Sequence, residues 1–160
     1  SAEALSVDEY ERINGAAPLE EKDIRHKILV IKINRLYQRG MDEKVLYDAV
    51  RCVWRASKEK VRTVEYVFGV YNSLIVAVYK PSEWFVCKEA KDRLPRQDIV
   101  LTPKTENRLF FVDERYEQGF PSDENESFYI GKSIAGLKLN QSAQNPITYL
   151  YPLEKDKIHI

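Results

Sequence analysis

Tyr47, Arg51, Trp54 and Arg55 are the residues whose types and spacing point most directly to chemistry. On a helix, side chains four apart share a side. Tyr47, Arg51 and Arg55 are spaced that way, and Trp54 borders the line they make. Arginines hold phosphate oxygens, and aromatic faces stack on bases. The four together predict a site for a nucleic acid or a nucleotide-like ligand. Two other readings use the same residues. One is a solvated helix face balanced by acidic loops elsewhere. The other is a buried Arg51 tied to sheet carbonyls, with Trp54 at the edge of the core.

The charge distribution bears on that choice. Lys plus Arg and Asp plus Glu number 25 each, so a nucleic-acid partner needs a local patch. Between residues 22 and 62 twelve bases face five acids, an excess of seven. Between residues 106 and 126 seven acids face two bases. The basic region suits DNA or RNA, or else an acidic protein partner docking on the helix. A thiol or carboxylate enzyme is a third class, with weaker signals.

The elements that must position these residues follow from pattern. Asp42 is a good N-cap, and Val45, Leu46, Ala49, Val50 and Val53 have the spacing of a buried helical stripe. Ser57 reads as the cap of a second, short helix. Residues 28–33 are almost continuously apolar and β-branched, which predicts a central strand buried on both faces. Residues 65–71 and 74–79 predict two strands, and the two residues between them, Asn72-Ser73, predict a tight hairpin. Further strands are expected at 84–86, 98–101, 108–112, 128–130 (running on towards 134) and 147–151. An irregular acidic stretch spans 114–127 and a loop 141–146.

Residues 1–25 read as an appendage. It carries one short helix, entered by the capping box Ser6-Val7-Asp8-Glu9. Residues 26–160 read as one domain. With strands mostly in hairpins and helices early, the fold class is α+β. A curled, mostly antiparallel sheet or partial barrel with one main helix packed across it is the expected architecture.

Several motifs fail on inspection. Gly131-Lys132-Ser133 resembles the tail of a phosphate-binding loop, but that loop's first glycine would fall on Glu126. Tyr129-Ile130-Gly131 matches half of the GIY-YIG nuclease signature, yet no arginine follows it to residue 160. A strand ending in glycine is the expectation there. His26 and His159 have no His or Cys at ligand spacing, and Cys52 and Cys87 cannot build a metal cluster alone. No cofactor or metal is called for. Glu20-Glu21-Lys22 and Asp113-Glu114 lack the context of a catalytic pair. Two free thiols suit a reduced, cytoplasmic protein. No apolar run approaches the roughly 18 residues of a membrane span.

One ordered pattern resembles a known group. It runs through Ile28–Asn34, Gly40-Met41, Tyr47-Asp48-Ala49-Val50-Arg51, Trp54-Arg55, the hairpin from Glu65 to Tyr79, Trp84, Tyr129-Ile130-Gly131-Lys132-Ser133 and Gln144-Asn145-Pro146-Ile147-Thr148-Tyr149. It resembles the C-terminal accessory domain of uncharacterised bacterial proteins of a GIY-YIG nuclease group, over residues 26–151. The resemblance implies a module that accompanies a nuclease, binding nucleic acid or regulating cleavage, from a fragment or a stand-alone version. It does not imply that this chain cuts. Lys80-Pro81-Ser82-Glu83-Trp84 also resembles sheet-rich nucleic-acid modules of the PUA-like type, by analogy only.

Overall fold

The computed structural model describes residues 6–95, 99–139 and 146–154, apart from the Glu9 side chain. The unbroken apolar run forms β1 (Ile28–Lys32), whose residues 28–31 are fully buried. Before it lies α1 (Val7–Asn14), and after it come α2 (Glu43–Arg51) and α3 (Lys58–Val61). The hairpin forms β2 (Tyr66–Tyr71) and β3 (Leu74–Tyr79). Then follow β4 (Glu83–Val86), β5 (Leu109–Val112), α4 (Glu114–Glu117), α5 (Glu124–Tyr129) and β6 (Ile147–Leu150).

The fold is α+β. A four-stranded sheet has the order β3-β2-β1-β6, and β4 pairs with β5 in a second sheet. Both sheets are open, so the expected barrel-like closure is not formed. Three of the pairings are antiparallel, but β1 and β2 run parallel, with Ile28 opposite Tyr66 and Lys32 opposite Val70. Parallel neighbours cannot be joined by a tight turn. The crossover is made by α2 and α3, which is why the helices sit early in the chain.

Strand alternation sends side chains to two cores. Leu29, Ile31, Val67 and Tyr79 pack on one face with Tyr47 and Val50 of α2, Val61 of α3, and Leu109 and Phe111 of β5. Ile28, Val30, Phe68 and Ile75 pack on the other with Tyr129 of α5. Leu19 and Ile24 join this second core, so part of the segment read as an appendage is covered by the sheet.

Two local features position α2. A Cβ on Gly69 would lie 2.7 Å from Val50 Cγ2, so the helix crosses β2 where only glycine leaves room. A register shift between Gly69 and Val70 leaves Val76 without an opposite residue, and Val76 and Ala77 both join the core under α2. The hairpin turn has Asn72 at φ 45 and Ser73 at φ 70, the left-handed pair that matches strand twist. The Asn34 side chain accepts from the Asn72 amide at 3.0 Å.

Other expectations change. The stretch 114–127 is not irregular. Asp113 accepts from the Tyr116 amide at 3.1 Å and caps α4, and Asp123 accepts from the Glu126 amide at 2.7 Å and caps α5. Residues 128–130 are therefore the end of a helix and its exit, not a strand. Residues 99–101 carry no strand, while Asp98 lies outside the described residues. The loop at 141–145, His159 and the Glu9 side chain of the capping box also lie outside them.

Candidate functional site

The cap on α2 forms as the sequence indicates, with Asp42 Oδ1 accepting from the Lys44 amide at 2.9 Å and the Val45 amide at 3.3 Å. Its buried face is rotated from the predicted one, keeping Val50 and the partly buried Leu46. Val45 is 54% exposed, whereas Tyr47, Val50 and Arg51 are buried. The spacing 47, 50, 51, 54 is itself a helical face. Tyrosine and arginine carry enough apolar stem to fill it.

The helix ends at Arg51, so the expected line of Tyr47, Arg51 and Arg55 is not continuous. Arg51 Nε donates to Asp48 at 3.0 Å, Nη1 to the Phe111 carbonyl at 3.1 Å and Nη2 to the Arg93 carbonyl at 3.4 Å. The guanidinium lies 5.1 Å from the Tyr47 ring centre. Tyr47 Oη donates to Glu117 at 2.6 Å and accepts from the Asp113 amide at 2.7 Å. Trp54 leaves the helix and bridges Leu109 through two backbone bonds of 2.8 and 2.9 Å. Its indole donates to the Val50 carbonyl at 2.7 Å. Tyr47 and Arg51 thus meet in the interior, Trp54 staples the second sheet, and Arg55 is exposed elsewhere.

Two concave regions carry polar chemistry. The larger is a cleft of about 790 Å³ between α2, β3 and the 116–126 segment. Glu43, Asp48, Glu117 and Glu126 line it, against Lys44 and Arg51. Its floor is a tyrosine cluster. The Tyr47 ring lies 4.5 Å from Tyr116 and 5.1 Å from Tyr79, with Tyr79 to Tyr116 at 5.4 Å. Burial pushes the phenols of Tyr47 and Tyr79 above their ordinary range.

Burial also raises the Asp113 carboxyl beneath them, against the opposing pull of the Lys80 and Tyr116 amides. At the cleft's end, burial and the nearby charges of Asp123 and Asp113 raise Glu126. Burial opposes the charged form of Asp123 too. The Glu126 amide, the Tyr66 hydroxyl and Arg115 outweigh it and hold that carboxyl below its usual range.

The second region is a shallow hollow of about 410 Å³ bounded by Arg55, Ser57, Lys60, Tyr149 and Tyr151, along the edge strand β6. The rings of Tyr149 and Tyr151 are nearly parallel, at 17°, with centres 6.3 Å apart. Lys60 Nζ lies 5.6 Å from the Tyr149 ring centre. The Tyr149 hydroxyl is buried and has no hydrogen-bond partner among the described residues. Among the sequence candidates only Arg55 reaches this hollow. Lys60, Tyr149 and Tyr151 went unmarked, although residues 147, 149 and 151 alternate onto one strand face and so could have been grouped.

Among the described residues no group of three or more His, Cys, Asp or Glu is placed to hold a metal. Cys87 is buried, and burial raises its thiol. His26 Nδ1 is 2.8 Å from the Tyr129 hydroxyl, beneath the end of α5. No helix among the described residues is long and apolar enough to cross a membrane. Comparison of the chain with protein-family models, curated proteins and solved structures finds no match.

Proposed function

We propose that this protein is a binding module that takes a single-stranded nucleic acid across the hollow formed by Arg55, Lys60, Tyr149 and Tyr151. The observation that carries the reading is the near-parallel tyrosine pair beside two exposed cations. Cations track a phosphate backbone, and aromatic faces accept bases of any sequence. Tyr151 is 55% exposed, so its ring is available to a base. Ser57 adds a hydroxyl at the same rim. The resemblance to domains that accompany GIY-YIG nucleases supplies a context, a nuclease partner, but the reading stands on the geometry of the hollow.

Fluorescence anisotropy with short labelled single-stranded DNA and RNA tests it. Binding at low salt is expected. Tyr151→Ala should weaken it by about 1–3 kcal/mol, the range for one base stacked on one ring. Arg55→Ala with Lys60→Ala should weaken it further. The reading fails if neither strand binds at low salt, or if the double variant binds as the parent does.

A further inference from the structure

We infer that a smaller pocket, at the carboxyl ends of β1 and β2, is a second site, one that binds a small monocarboxylate through Lys32, Asn34, Asn72 and Ser73. Strand alternation puts Ile28, Val30 and Lys32 on one face of β1. Their partners on β2 are Tyr66, Phe68 and Val70, and this face packs into the second core. Lys32 is the one charged residue in the two rows. β1 and β2 are the parallel pair, so both end on the same side, where open sheets leave a crevice for ligands. The pocket there holds about 250 Å³ and is walled by Ile134, Leu137 and Leu139.

No acidic residue lines the pocket, so the Lys32 charge stands uncompensated there. Among the described residues the side chains of Lys32, Asn72 and Ser73 make no hydrogen bond or ion pair. Asn34 Oδ1 is taken by the Asn72 amide, which leaves the Asn34 amino group to donate. One cation among neutral donors matches a single negative charge, whereas a phosphate dianion would keep an excess. The hairpin turn supplies a separate observation. Ser73 sits at φ 70, where glycine is the residue that fits without strain. A serine kept there puts a hydroxyl on the pocket's rim at a cost in stability. The volume equals that of about eight waters, below the range of roughly 300–1,000 Å³ for drug-sized ligands. The ligand is therefore a carboxylate on a short apolar chain, laid against Leu137 and Leu139. This pocket shares no residue with the hollow at Arg55, and its test is independent of nucleic-acid binding.

The test is titration of the full chain by calorimetry, with proton–nitrogen NMR spectra to place the binding. The probes are butyrate and hexanoate, with hexanamide as the uncharged match and inorganic phosphate as the rival anion. Saturable binding of at least one carboxylate is expected, with amide shifts at residues 32–34 and 70–73. Hexanamide should bind at least about tenfold more weakly, because it loses the charge-assisted bond to Lys32. Lys32→Gln, which keeps most of the stem, should weaken the better carboxylate about tenfold. Ser73→Gly should raise the urea midpoint, by relieving the positive φ, and yet weaken binding about threefold. Absence of saturable binding by both carboxylates at about 10 mM overturns the inference. So does hexanamide binding within about twofold of hexanoate, phosphate binding more tightly than either carboxylate, or unchanged affinity in either folded variant.

Discussion

Arg51 joins three parts of the molecule: Asp48 on its own helix, the Phe111 carbonyl on β5 and the Arg93 carbonyl beyond β4. Its fork has more donors in fixed geometry than a lysine can supply. Removing it takes a donor from the buried Phe111 carbonyl and leaves a carboxylate without its counter-charge. Arg51→Ala should therefore lower stability by roughly 3 kcal/mol. Arg51→Lys should recover little of this, because an ammonium cannot reach both carbonyls in plane. Arg55→Ala, at an exposed position, should stay within about 0.5 kcal/mol of the parent. Urea titrations of the three variants check this, and equal midpoints for Arg51→Ala and Arg55→Ala would contradict it. The two arginines are indistinguishable in sequence because a helical spacing names a face without saying which way it points. The burial of Arg51 was legible only as one of three readings. The deciding contacts come from residues 60 and 42 positions further along the chain.

At the scale of elements, the signals that act locally were readable. The Asp42 and Ser57 caps, the hairpin about Asn72-Ser73 and the central β1 all follow from neighbouring residues. The pairing of Asp123 with Glu126 is also local and has the form of a capping box, yet the acidic composition around it suggested a loop. The parallel pairing of β1 with β2 was not readable, because it depends on where the crossover lands. Gly69 fixes that landing. With Val50 Cγ2 2.7 Å from any Cβ placed there, Gly69→Ala must push α2 off the sheet or distort β2. Overpacking of this kind costs about 1–3 kcal/mol. Val50→Ala removes the opposing methyls, so the double variant should be more stable than the two single losses added together. A double-mutant cycle in urea measures the coupling. Strict additivity would place the contact elsewhere.

Across the whole molecule, charge is balanced in sum and separated in place. The chain carries no net charge, so no long-range field draws a polyanion to it. On the proposed reading, nucleic acid is held by contacts made at the hollow, where the two cations are Arg55 and Lys60. Counterion release makes that countable. Each phosphate neutralised on a single strand contributes about −0.7 to the slope of log affinity against log salt. Two cations predict a slope of about −1.4. Removing one should bring it to about −0.7, and removing both should leave a weak, nearly salt-independent stacking interaction. Tyr151→Ala should do the reverse, lowering affinity at every salt concentration while leaving the slope unchanged. A slope several times steeper than that of two contacts would mean that other bases of the 22–62 stretch, most of them exposed, share the strand. A slope that survives loss of both Arg55 and Lys60 would place the phosphates away from the hollow.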